Sequence, residues 1–364
     1  MKPAPDVATR ESTGKPTLKT ISQLSGLAVP TVSRALNDAP DIGSNTKALV
    51  RRIAAEIGYV PNRAGVRLRT GRTNVISLVL STEHDMMNHT ARLISSIAGG
   101  LQGTPYHMIV TPFFADDDPM KPIHYIVETG SADAIIFNQI KPEDPRVAYL
   151  MERGFPFATH GRTIWSDKHP YYDFDNEAFG RLAIQALVKR GRKRLLLIAP
   201  PAEHNYGREM LEGTRDEAAS AGVTLLSAVK ITSDSTADEV RAYIGDLLRD
   251  DPTYDGIIAA SANATMAVVS AMEAEGFDVG TDMDVVAKEA IPFLKYFREQ
   301  IIVVDEDVKE AGEFLARAAM QAIRQPELPP LQGLELPIAP DIDIPPARHR
   351  ILKRPDRNTT KARP

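Results

Sequence analysis

The chain has 364 residues, 43% of them hydrophobic, with 43 Lys/Arg against 48 Asp/Glu and no cysteine. That length exceeds one ordinary core and implies two or three domains, while the lack of cysteine excludes disulfides and thiolate-held zinc or iron–sulfur clusters. The net charge of −5 hides an asymmetry, because residues 1–72 carry +7, the last twenty carry +6 and the middle carries −18.

A basic end on an acidic body points to a polyanionic partner for that end. The N-terminal MKPAPDVATRESTGKP is polar, Pro-containing and aperiodic, so residues 1–16 are expected to be a disordered tail. It lacks the apolar core of a secretory signal. No stretch approaches the ~20 apolar residues of a membrane span. A soluble, cytoplasmic protein with no membrane partner is predicted.

From Thr17 the pattern becomes helical in short pieces. Leu18, Ile21 and Leu24 mark a first helix, broken at Gly26; Val29, Val32, Ala35 and Leu36 mark a second, ended by Asn37–Asp38 and Pro40. A third opens at Thr46, with Leu49, Ile53 and Ile57 on one face. Two short helices around a Gly-containing turn, followed by a third, predict a helix-turn-helix domain over 17–60. The polar face of the second helix suits DNA. Thr31 and Ser33 match phosphate oxygens, Arg34 can reach guanine O6/N7 with two bonds, and Asn37 lies beside them. Entry by the N-terminal end of this helix places Val29 and Pro30 against bases, where they select by shape and thymine-methyl contact.

After Asn74 continuously apolar runs alternate with amphipathic helices. The runs are VISLVL (75–80), YHMIV (106–110), ADAIIF (132–137), PFATH (156–160), YYDFD (171–175), RLLLIAP (194–200), LLSAVKI (225–231), GIIAAS (256–261), DVVAK (284–288) and IIVVD (301–305). Such strands imply parallel sheets covered on both faces. They are too many for one compact sheet, so two α/β lobes are predicted, with ligand held at the carboxyl ends of the strands.

The segment 17–80 closely resembles the N-terminus of the lactose-repressor (LacI/GalR) family. The matching pieces are G-x-x-x-x-TVSRALN (26–37), EIGYVPNRA (56–64) and LRTGRTNVI (68–76), in the family's order and spacing. The resemblance implies a hinge over 61–72 that orders as a helix on operator DNA, with Leu68 wedging into the minor groove beside Asn62, Arg63, Arg67 and Arg69. An apolar wedge of this kind offsets a few kcal/mol of unstacking by closer contacts on bent DNA. Thr17, Val29, Pro30, Thr31, Ser33, Arg34, Asn37, Asn62, Arg63 and Leu68 are the expected DNA contacts.

More loosely, the resemblance extends over about 73–345. It implies a periplasmic-binding-protein type I-like two-lobed α/β sensor closing on a polar effector. The expected fold class is therefore multidomain, α plus α/β. Expected boundaries are 73–172 with 305–331 for the N-lobe, 173–304 with 332–346 for the C-lobe, and 347–364 for a basic flexible tail. The chain should cross between lobes near Tyr172–Phe174, Ile302–Asp305 and Leu334–Ile338. Transferred pocket candidates are His84, Asp85, Asn138, Arg162, Asp175, Tyr206, Ser261 and Glu289. Three departures from the family pattern remove polar partners: Met210 in MLEGT, Ser261–Ala262, and Ala287-Lys288-Glu289-Ala290. Arg208 or Lys288 could compensate. Trp165 is either a ring platform or a lobe-surface residue.

Catalysis finds no support: no G-x-S-x-G, P-loop or HExxH occurs, and the eight histidines show no metal-ligand spacing paired with carboxylates. No cofactor, no metal site and no enzymatic activity are expected. The expectation is a homodimeric, DNA-binding repressor released from double-stranded operator DNA by a small effector, a sugar or glycoside. The alternatives are a corepressor-dependent regulator binding a nucleobase-like effector, and a sugar-binding protein of the same fold without regulatory role.

Overall fold

A computed structural model describes residues 15–60, 67, 71–81, 87–114, 116–340 and 342–343. The chain divides into two compact units at Thr73–Asn74, and each is taken by itself.

The first unit contains α1 (Leu18–Ser25), α2 (Val29–Leu36) and α3 (Ser44–Glu56). Thr17 starts α1 through a capping box with Thr20, and Gly26 ends it at φ 71°, a left-handed conformation that favours glycine. Pro30 lies in the first turn of α2, where its missing N–H costs nothing. Ile21, Val32, Ala35, Val50, Ile53 and Ala54 are buried together. The third helix begins at Ser44, two residues before the expected Thr46.

The second unit holds two wholly parallel sheets. The first has the order β11-β5-β4-β3-β1-β2, built from β1 (Val75–Ser81), β2 (His107–Phe113), β3 (Ala134–Phe137), β4 (Phe157–His160), β5 (Tyr171–Phe174) and β11 (Gln332–Glu335). The second has the order β10-β9-β8-β6-β7, from β6 (Arg194–Ile198), β7 (Thr224–Ser227), β8 (Gly256–Ala259), β9 (Asp284–Glu289) and β10 (Ile302–Asp305). Helices cover the sheets: α4 (Met87–Gly100), α5 (Met120–Thr129), α6 (Pro145–Glu152) and α12 (Val308–Arg324) on the first lobe. On the second lie α7 (Asn176–Lys189), α8 (Asn205–Ala221), α9 (Ala237–Asp250), α10 (Ala262–Ala274) and the short α11 (Leu294–Phe297). β1 is an interior strand, between β3 and β2, and six of its seven residues are buried, which explains its unbroken apolar run.

Two expected boundaries move. β5 pairs through Tyr172 with β4 and through Phe174 with β11 in the first lobe, so the chain leaves that lobe after Phe174, not at 172. Residues 332–335 form β11 and pair in parallel with β5, so they belong to the first lobe and not the second. The reason is register: Gln332–Glu335 align with Tyr171–Phe174, and the return to the second lobe follows, where Ile342 packs on its core.

Close packing of α7 on α8 brings the second lobe's first helices nearly into backbone contact. A Cβ on Gly213 would sit 2.1 Å from the Glu177 carbonyl oxygen, and one on Gly180 would sit 2.8 Å from that of Met210. Only glycine permits this approach, and it sets how closely α7 and α8 pack.

Candidate effector cleft and DNA-reading helix

Between the two lobes lies a cavity of about 240 Å³ at the carboxyl ends of the strands. From the first lobe it is lined by His89, Asn138, Gln139, His160 and Asp173; from the second by Tyr206, Ser261, Asn263, Lys288 and Phe293. Glu306 and Asn176, beside the strand-to-helix crossings, complete its floor.

Its polar groups are held by buried partners. Gln139 adopts φ 54°, uncommon for a side chain other than glycine. Arg146 fixes that strand end by donating to the carbonyls of Asn138 (3.2 Å) and Gln139 (2.8 Å), while Asp144 pairs with it at 2.6 Å. Nothing in the sequence signalled Arg146, because its role is to satisfy main-chain carbonyls folded onto it.

Glu306 is the node of the floor. It accepts from Lys288 at 2.9 Å and faces the Nε2 atoms of His89 and His160. Lys288 also donates to Asn176 Oδ1 at 3.1 Å and lies 5.0 Å from the centre of the Phe174 ring. Burial pushes the Glu306 carboxyl up, but Lys288 and the two histidines outweigh it and hold the group well below its usual range. Burial, with the neighbouring His89, pushes His160 down to about 3, so its ring is neutral at physiological pH.

Arg162 bridges the lobes. It donates to Asp173 at 2.8 Å and, in a bidentate fork, to both oxygens of Glu209 on α8 at 3.0 Å. Asn205 donates to the same Glu209 at 2.8 Å. Burial raises Asp173 to about 6 despite Arg162, and burial together with the charge of Asp173 raises Glu209 to about 7. Two carboxylates thus share one guanidinium in a poorly solvated place.

The candidates inferred from sequence divide accordingly. Asn138, Tyr206 and Ser261 line the cavity, and so does Lys288. Arg162 stands one layer behind it, occupied by Asp173 and Glu209. Three candidates are instead structural. Asp175 caps α7 by accepting from the Ala178 N–H at 2.9 Å. Arg208 pairs with Glu212 one helical turn away on the exposed side of α8. Glu289 turns from the cavity and caps α11 through the N–H groups of Phe293 and Leu294. Strand ends and helix starts demand such caps, as at Ser261, which caps α10 and still lines the cavity. His84 and Asp85 lie outside the described residues. Trp165 is not among the cavity-lining residues; it is half-buried at the edge of the first lobe's core cluster, which includes Phe137 and Phe157. Met210 is fully buried among Phe179, Leu187 and Leu197, so its substitution for a polar residue fills core.

Sequence reasoning missed His89, Asp173, Asn176 and Glu306. Asp173 sits inside the run YYDFD, where a buried carboxylate amid aromatics was a usable signal. The others had none, since only the fold joins them.

On α2, Val29 and Pro30 are exposed, as are Arg34 and Asn37, while Thr31 and Ser33 are half-buried. Arg34 pairs with Asp41, and Asn37 donates to the Ser33 carbonyl. These residues share one accessible face opposite Val32 and Ala35. Thr17 is spent on capping α1. Asn62, Arg63 and Leu68, like the tail 347–364, lie outside the described residues.

Comparison with known proteins agrees with both units. The "Periplasmic binding protein domain" family matches residues 123–327, over half the chain, and "Bacterial regulatory proteins, lacI family" matches residues 17–62. The HTH-type transcriptional regulator AglR of Rhizobium meliloti (strain 1021) is 27% identical over 312 residues, covering 84% of this chain and 87% of its own length. Among solved structures, the lac repressor dimer bound to operator and the anti-inducer ONPF superposes with a TM-score of 0.77 at 17% identity, over 89% of this chain and 97% of that one. The transcriptional regulator CelR in complex with cellobiose gives 0.64 at 24% identity, over 89% of this chain and 98% of that one. With a lacI-type helix-turn-helix at its N-terminus and a two-lobed periplasmic-binding-protein body behind it, the chain belongs to the lacI family of bacterial transcriptional regulators.

Proposed function

We propose that the protein is a repressor that leaves its operator when a saccharide fills the interlobe cavity, acting in the cytoplasm by binding and not by catalysis. The observation that carries the ligand class is the lining: an apolar rim of Tyr206, Ile291, Phe293 and Pro200 over a floor of carboxylate, amide and ammonium groups. A sugar ring has the same two-sided chemistry, apolar C–H faces and a girdle of hydroxyls. The cellobiose bound by the structurally similar CelR supports this reading.

Residues from both lobes meet there, so ligand binding biases the lobe arrangement, and it alters DNA affinity to the extent that it prefers one arrangement. In this reading Val29, Pro30, Thr31, Ser33, Arg34 and Asn37 face the operator. Asn62, Arg63 and Leu68 form the conditional hinge, with the operator's two half-sites bound by a homodimer. Gel-shift of the full chain on its upstream DNA tests the first step. Binding should exceed that to random DNA and weaken steeply with salt. No preference over random sequence would refute it. Leu68→Ala should lower specific binding without lowering thermal stability, and unchanged affinity would remove the wedge from the account.

A further inference from the structure

His89 on α4 and His160 at the end of β4 stack with ring centroids 5.2 Å apart and planes 14° apart. Both turn Nε2 toward Oε1 of Glu306, at 3.5 Å from His89 and 3.8 Å from His160. These separations exceed the 2.7–3.2 Å of an ordinary N–H···O hydrogen bond. The other nitrogen of His89, Nδ1, is buried and has no hydrogen-bond partner among the described residues. Two imidazoles therefore crowd a buried carboxylate without bonding it well. All three ligand-type atoms lie within 4.8 Å of one another, on the wall of an accessible cavity.

We infer that His89, His160 and Glu306 form a site for a divalent transition-metal ion of the zinc class, with one coordination position open to the cavity. Zinc binds imidazole nitrogen and carboxylate oxygen at ~2.0–2.2 Å, so neighbouring ligand atoms of a tetrahedral site stand about 3.4 Å apart. The observed 3.5 and 3.8 Å require only small side-chain adjustments. Three protein ligands leave a fourth position for water or for an oxygen of a bound ligand. Two imidazoles and a single carboxylate favour a borderline transition metal over calcium or magnesium, which prefer shells of oxygen.

Lys288 is the opposing element. Its ammonium holds Glu306 by Oε2 at 2.9 Å, leaving Oε1 to the histidines, and so orients the carboxylate as an outer-shell partner does. Its charge disfavours a dication. The three ligands come from α4, β4 and the loop after β10, which is why no ligand spacing appears in the sequence.

The site is independent of the saccharide reading, because metal binding is measured with neither sugar nor DNA present. The test is a titration of cobalt(II) chloride into the full chain in a non-coordinating buffer. One saturable equivalent is expected, with the intense visible absorption of four- or five-coordinate cobalt, displaced by zinc chloride. His89→Gln and His160→Gln should each weaken binding by more than the roughly 10–100-fold that loss of an outer-shell partner costs. Arg208→Ala, on the exposed side of α8, removes no ligand and no cavity residue and should bind cobalt as the wild type does. Absence of saturable binding overturns the proposal, and so does unchanged affinity in the double histidine variant. If the histidine variants do not fold, the wild-type spectrum decides: the weak absorption of octahedral cobalt overturns the site, and the intense bands support it.

Discussion

The helical unit and the interlobe cavity bury polar and apolar groups by opposite routes. In residues 18–56 every core side chain comes from one short stretch, and spacing along three helices decides what is buried. At the cavity floor, His89, His160, Lys288 and Glu306 come from widely separated elements of two lobes and meet only because two parallel sheets place their carboxyl ends together. The helical unit is thus stabilised by local periodicity and caps. The floor depends on buried charges that must all be paired. The first kind of region tolerates loss of a surface group; the second does not.

The sharpest way to break this comparison is Glu306→Ala. It leaves Lys288 buried without its carboxylate, and breaking a buried pair from one side costs about 3–5 kcal/mol. Thermal unfolding of the effector unit should fall by many degrees. A loss no larger than that of an exposed-pair control such as Glu212→Ala would contradict the role given to Glu306. In the helical unit, Arg34→Ala removes an exposed pair with Asp41, worth at most ~1 kcal/mol of stability. On DNA the same change should cost about 1–3 kcal/mol, roughly 5–150-fold in operator affinity, by losing a bidentate base contact. Fluorescence anisotropy on operator and on random DNA separates the two effects.

Why one region was readable and the other only partly so follows from the same contrast. Helix periodicity and the Gly26 stop are properties of neighbouring residues, so the three helices were predicted nearly to the residue, although Thr17, expected on DNA, caps α1. The parallel strands were equally plain as apolar runs, except β11: QGLE has no apolar alternation, and it pairs at a sheet edge with exposed residues. The cavity was legible only where a polar residue closes a strand, as at Asn138 and Ser261. Such positions equally serve as caps, and Asp175 and Glu289 turned out to be caps. Glu306, one residue past β10, carries no signal of its own, because nothing in IIVVDED announces that Lys288 and two histidines fold onto it.

A smaller effect tests the Arg162 clasp by pH. The fold raises Asp173 from 3.8 to about 6 and Glu209 from 4.5 to about 7, so the native state keeps protons that the unfolded chain has released. A raised carboxyl contributes stability in full below its unfolded value, and that contribution is lost as pH rises through 6–7. Glu209→Gln should therefore flatten the fall in unfolding temperature between pH 5.5 and 8 relative to wild type. The difference is expected to be on the order of 1–2 kcal/mol, each pKa unit corresponding to about 1.4 kcal/mol. His160 acts in the opposite sense, since its depressed pKa gives stability that is lost as pH falls, and comparison with the variant cancels it. Parallel pH profiles would contradict the shared-guanidinium account. Smallest is Tyr206→Phe, which keeps the ring and deletes a hydroxyl 3.2 Å from His204 Nδ1. Saccharide affinity measured by calorimetry should weaken by about 0.5–1.5 kcal/mol; no change would remove the hydroxyl from the recognition surface.

The central claim is that one cavity between the lobes controls one DNA-reading helix. Its most direct test is operator affinity of the full chain, measured by anisotropy at fixed salt while a panel of mono- and disaccharides is titrated. The account predicts that at least one saccharide weakens operator binding tenfold or more, leaves binding to random DNA unchanged, and loses this effect in Asn138→Ala. Specific operator binding that no saccharide alters, while a nucleobase does, would contradict it.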